Sequence, residues 1–342
     1  MNSLDLHRQA LELNTPQRVP VAPSFLTRTV RVAGIRQHDY HTDPHRLARA
    51  QIEHCERYDF DGIYISSDNV ILYEALGGRI VFPDDDSYPM WTEPLVSSPR
   101  DLSKLRWPQP ERDGRMPVVI QAAALAMQQV GHRRFVLANI DSGPFQLALT
   151  LMGMERGFVT LMERPSEMCD ILEFCAEVTI LYGKAMAQTG CHGLQFGEST
   201  AALLGRNRYR DVVWPYDCRV IEALRETGVY VFLHVCGDST CVFDLLVQSG
   251  AHCIEFDSQV DPCVAQRLAA GKVALKGNVD TGHFLTLSPA EMEQECCGLI
   301  ETMGHQGGFV LSGGCEVPAG AADDVLYAMR RAADVCARPQ RA

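Results

Sequence analysis

Apolar positions along the chain fall into two alternating patterns. Short runs of three to eight residues, rich in Val, Ile, Leu and Phe, recur at intervals. Between them lie longer stretches in which apolar residues return every three or four positions. The first pattern suits strands buried on both faces and the second suits amphipathic helices. The strand-like runs are residues 20–25, 60–67, 134–140, 193–197, 229–235, 253–256, 273–277 and 309–311. The helical stretches are 43–58, 71–76, 116–130, 144–163, 165–189, 207–226, 240–249, 262–270, 288–304 and 323–337, with a short leading helix over 1–15 stopped by Pro16. Asp43-Pro44 and Ser288-Pro289 read as helix starts, Gly250 and Gly271 as stops.

Eight strands alternating with helices predict a parallel sheet, and eight units predict a closed (β/α)8 TIM barrel. The expected architecture is a single domain over 1–342, with a short N-terminal helical extension. An excursion after the second strand, over 79–116, is rich in Pro, Asp, Ser and Trp. An open doubly wound sheet is the alternative. The chain has neither Gly-x-Gly-x-x-Gly after its first strand nor a Walker loop, so no nucleotide fold is indicated.

Charge narrows the partners. A formal net charge of −12 argues against nucleic acid or an anionic membrane surface. No stretch approaches the roughly 18 uncharged residues of a membrane span, and the first residues lack an apolar signal core. A cytoplasmic protein is expected. Its 13 cysteines then do not form a disulfide framework. They are scattered, without Cys-x-x-Cys, and most read as small buried hydrophobes.

Two of them, Cys236 and Cys315, stand apart by position. The run 229–235 delivers His234 and, one residue on, Cys236, which share a face because a strand has period two. Alone, the pair reads as a core histidine beside a buried thiol. Its place at a strand end, matched by Cys315 at the end of 309–311, turns the reading towards a metal, since zinc takes nitrogen and sulfur donors and wants at least three. Asp68, Asp141, Glu198, Asp257 and Asn278 also fall at C-terminal strand ends. That rim carries function in such barrels, although acids there also serve as turn formers and caps.

The chain resembles the uroporphyrinogen decarboxylase superfamily over nearly its whole length. The matching segments are Ser66-Ser-Asp-Asn with Glu74-Ala-Leu-Gly77, Gly143-Pro-Phe with Met152-Gly-Met-Glu155, and Gly277-Asn-Val-Asp280. His234-x-Cys236 with Cys315, and the ending Gly314-Cys-Glu-Val-Pro318, resemble the zinc motif of that family's methyltransferase branch. The resemblance implies Zn²⁺ held by His234, Cys236 and Cys315. It also implies a methyl group moved between a corrinoid (methylcobalamin) carried by a partner protein and a small thiol or other methyl donor or acceptor. The decarboxylase branch's arginine-rich segment is absent. Residues 25–30 read Phe-Leu-Thr-Arg-Thr-Val there. Asp68 matches that branch's central aspartate without its arginines.

Zinc lowers the pKa of a bound thiol, and three protein ligands leave a fourth position open. Glu198 either fills that position at rest or serves as a capping carboxylate. Glu198 and Asp68 are therefore the expected catalytic acids, and Asp238 either orients His234 or solvates its loop. Two other functions stay open: a decarboxylase-like tetrapyrrole enzyme, and a non-catalytic carrier of metal or tetrapyrrole.

Overall fold

Residues 2–83 and 87–337 are described in a computed structural model of the chain. Seven strands pair side by side, all parallel, in the order β1 (Gly62–Ile65), β4 (Phe135–Ser142), β5 (Gly193–Gly197), β6 (Tyr230–Val235), β7 (Cys253–Phe256), β8 (Ala274–Val279) and β9 (Phe309–Gly313). Sequential neighbours in a parallel sheet require crossover helices, and these lie between the strands. The remaining two strands, β2 (Ile80–Val81) and β3 (Met90–Trp91), form a small antiparallel pair within the excursion. Residues 84–86 of that excursion lie outside the described residues, as do Met1 and 338–342 of the expected domain.

The expected first strand is corrected. Residues 20–25 form only a bridge, Val21 to Leu311. Ala22 N–H donates to Leu311 O at 2.9 Å, Leu311 N–H to Pro20 O at 2.9 Å, and Asp61 N–H to Val21 O at 2.8 Å. This segment thus joins the two edges of the sheet, β9 and β1. It cannot extend further as a strand because Pro20 and Pro23 have no N–H to donate. Asp61 fixes it in place, accepting from Val21 N–H at 2.8 Å while paired bidentately with Arg18.

Other boundaries moved for local reasons. The helix expected over 144–163 is two helices, Pro144–Met152 and Met154–Glu163, because Gly153 sits at φ +78° and breaks the ladder. The one expected over 207–226 contains a wide turn at Tyr209–Val213, just before Pro215. Two helices, Thr27–Ala33 and Gln37–Thr42, fall where none was expected. The leading helix, Ser3–Leu11, covers the N-terminal end of the sheet. Its Leu4 and Leu11 pack with Phe135, Leu137, Phe232, Cys253 and Ala274 from the strands. Among the described residues, no helix is long and apolar enough to cross a membrane.

Candidate metal centre

The ends of β6 and β9 bring the three expected ligands together. His234 Nε2 lies 2.9 Å from Cys236 Sγ, and Cys236 Sγ lies 3.9 Å from Cys315 Sγ. One donor atom from each falls within 4.8 Å of the others. His234 is buried and both thiols are half-buried, so the cluster faces outward through its sulfurs. One nitrogen and two sulfurs are a soft donor set, and their convergence fits a single zinc ion. Asp257, at the end of β7, holds the loop after Cys236 by accepting from Gly237 N–H at 3.0 Å.

Behind His234 stands a partner that the sequence reading missed. Glu255 Oε2 lies 3.1 Å from His234 Nδ1, an ion-pair distance at which the ring is turned off the ideal hydrogen-bond line. Glu255 Oε1 takes a hydrogen bond from Lys276 Nζ and another from Ser24 Oγ at 3.2 Å. The three side chains come from the register pairs His234–Glu255 and Glu255–Lys276 on adjacent strands. A signal was present: each of β7 and β8 carries one charge, of opposite sign, inside an apolar run. Burial opposes charge on Glu255, but Lys276 and His234 hold its carboxyl down at about 2. Burial likewise opposes a charged His234, and Glu255 with the Cys315 thiol pushes it up to about 10. Glu255 therefore favours a proton on Nδ1 and leaves Nε2 to face the sulfurs. Asp238, weighed for this role, is exposed and accepts from Thr240 N–H at 3.1 Å.

The two thiols share a contact in which either sulfur can donate. That contact lowers Cys236 and, with burial, pushes Cys315 up.

Glu198 is next to this centre in the backbone, its N–H donating to His234 O at 2.8 Å, but its carboxylate turns away. It accepts from Phe145 N–H and Gln146 N–H, both at 2.9 Å, at the start of helix Pro144–Met152. The helix's own cap residue, Gly143, has no side chain to do this, and a Cβ there would collide with the Glu198 carboxylate. Of the two readings of Glu198, the geometry is that of the cap. Burial and the neighbouring Asp217 push Glu198 up, and burial pushes Asp217 up to about 7.

Asp68 lies at a different part of the rim, at the end of β1. Arg115, from the far end of the excursion, pairs with both its oxygens and donates to Glu74 Oε2 at 2.8 Å. His41 Nδ1 lies 3.2 Å from Asp68 Oδ2. The side chains of Asp68 and Arg115 are only 3% and 6% exposed. Burial would raise Asp68, but His41 and Arg115 hold it well below the usual carboxylate range. An arginine does therefore follow Asp68, 47 residues on, which no local motif could announce. Beside it, burial raises Asp141 to about 7.

A parallel α/β sheet that gathers an imidazole and two thiols at its C-terminal edge defines a class of barrel-like α/β proteins with a candidate metal centre. Within that class the chain belongs to the uroporphyrinogen decarboxylase (URO-D) family, whose model matches residues 2–335. It is 24% identical over 314 residues to the methylcobamide:CoM methyltransferase MtbA of Methanosarcina acetivorans, covering 90% of this chain and 91% of that one. It is 25% identical over 283 residues to the uroporphyrinogen decarboxylase of Cellvibrio japonicus, covering 79% and 77%. Among solved structures, a methyltransferase from Methanosarcina mazei superposes with a TM-score of 0.87 at 19% identity, over 98% of this chain and 99% of that one. That likeness establishes a shared fold.

Proposed function

We propose that this chain is a zinc-dependent methyltransferase that moves a methyl group between a corrinoid protein and a small thiol or other methyl donor or acceptor. The working unit is the whole chain, 1–342, as one (β/α)8 barrel whose first strand has shrunk to residues 20–22. The observation that carries the reading is the convergence of His234, Cys236 and Cys315 within 4.8 Å at the C-terminal strand ends. Relatives named as methylcobamide:CoM methyltransferases support the same chemistry.

In this reading His234, Cys236 and Cys315 hold the ion, which supplies a Lewis acid that lets a bound substrate thiol lose its proton near neutral pH. The chain's residues set the rest. To hold a divalent ion, Cys236 and Cys315 would both give up their protons and His234 would bind as the neutral imidazole, so that the three side chains would carry two negative charges. Glu255, held by Lys276, keeps the Nδ1 proton and fixes the His234 ring. Glu198 supports the rim by capping helix Pro144–Met152, and Asp68 by its buried pair with Arg115.

The decarboxylase reading is the weaker one. A carboxylate paired with Arg115 and in contact with His41 is not free to meet a substrate, and the arginine-rich segment for a porphyrinogen's propionates is missing. The test is direct. Zinc-loaded protein is mixed with methylcobalamin and a panel of thiols, and with reduced cobalamin and methylated thiols, while the corrinoid spectrum is followed. Demethylation or methylation of the corrinoid is expected in one direction. No change in either direction, or carbon dioxide release from uroporphyrinogen, overturns the proposal.

A further inference from the structure

Far along the chain from His234, a second pair of sulfurs lies closer than the metal-site thiols. Cys297 belongs to helix Pro289–Met303, and Cys336 caps the last helix, Asp323–Val335. Their Sγ atoms are 2.9 Å apart, against 3.9 Å between Cys236 and Cys315. Both are half-buried and both line a surface groove of about 410 Å³, together with Arg18, Glu301 and Val335. A small disulfide can therefore reach them. Closing them to a covalent distance of about 2.05 Å needs less than about 1 Å of movement. Cys336 stands at a helix end, where the backbone yields most easily.

We propose that Cys297 and Cys336 form a redox-active dithiol, which low-molecular-weight disulfides convert to an intramolecular disulfide that pins the last helix to helix Pro289–Met303. The loop so closed, residues 297–336, contains β9 and Cys315. The bond is a clamp on the segment that carries one of the three candidate metal ligands.

The chemistry is thiol–disulfide exchange. Cys336 donates its S–H to Cys297, and burial with the Cys297 contact pushes Cys336 up to about 12, so Cys297 attacks first. Its thiolate displaces one half of the disulfide reagent and forms a mixed disulfide. Cys336 then gives up its proton and attacks the Cys297 sulfur, and the second half leaves. Two protein thiols lose two electrons, one reagent disulfide gains them, and both protons end on the two released thiols.

The test uses full-length reduced protein treated with oxidised glutathione, then non-reducing peptide mapping by mass spectrometry. A peptide pair joining Cys297 to Cys336, two hydrogens lighter than its parts, is expected. Cys296 is adjacent in sequence, so the assignment rests on variants. The link should persist in Cys296→Ala and vanish in Cys297→Ala and in Cys336→Ala, each checked for wild-type circular dichroism. Closing so long a loop should raise the unfolding midpoint by about 5 °C, reversibly with dithiothreitol. Recovery of Cys297 and Cys336 unlinked, as thiols or glutathione adducts, overturns the proposal. So does a link through Cys296, or a linked protein whose midpoint is unchanged.

Discussion

Glu255 Oε2 stands 3.1 Å from His234 Nδ1 while its other oxygen is bound by Lys276, so the candidate metal ligand is the last member of a buried chain of charges. Glu255 and Lys276 are each only 2% exposed. This arrangement predicts two separable effects. Glu255→Gln should weaken zinc binding by about 10- to 100-fold, through loss of the carboxylate that orients the ring. It should also destabilise the fold, because Lys276 is left buried without its anion. Adding Lys276→Met should restore the melting temperature but not the zinc affinity. Recovery of both by the double variant would mean that Glu255 acts only on stability.

Metal content tests the three-ligand set. About one zinc per chain is expected, and Cys236→Ala and Cys315→Ala should each lose most of it. Chelation should leave the far-ultraviolet circular dichroism and a cooperative melt intact. The sheet and its helices bury a large apolar core that needs no metal, unlike a zinc finger. Full zinc retention in both variants would remove the site from consideration.

Arg115 is the other place where one side chain decides the fate of a neighbour. Removing it leaves Asp68 buried with only the His41 and Ser67 contacts, so Arg115→Met should cost about 3 kcal/mol. Asp68→Asn in the same chain should recover a large part of that loss. A double-mutant cycle by urea denaturation reads the coupling, and simple additivity would refute a direct pair.

Asp141 predicts a pH dependence of known sign. Its folded-state pKa is raised to about 7, from 3.8. The contribution is complete below about pH 4 and is lost as pH rises through about 7, because the unfolded chain ionises where the fold resists. Asn cannot ionise, and it tolerates the backbone here, which has φ +73°. The melting temperature of Asp141→Asn minus that of wild type should therefore grow more positive from pH 4 to pH 7. A difference that stays flat across that range would contradict a buried, protonated Asp141.

Much of this was legible from the chain alone, for particular reasons. β5 and β7 were readable to the residue because each is a compact apolar run bounded by glycine or acid. The candidate ligand triad was readable because a period-two strand puts His234 and Cys236 on one face. What escaped depended on partners distant in sequence. Glu198 could be placed on the rim but not aimed, since its direction is set by the empty cap position at Gly143. Arg115 could not be joined to Asp68 without folding the excursion between them. The segment 20–25 read as a strand because its apolar content outweighed two prolines whose missing donors, in the end, decided its structure.

That segment also has a consequence in time. Val21 meets Leu311, so the stitch that joins β1 to β9 links nearly the two ends of the chain. Synthesis runs from the N-terminus, so residues 20–22 leave the ribosome long before Leu311 exists. Contacts this distant form late and slowly. Through that wait, Pro20 and Pro23 deny the exposed segment the hydrogen-bond donors with which it would otherwise seize a passing strand edge. The same two residues that cut the first strand short leave the newborn segment with fewer donors to offer a wrong partner.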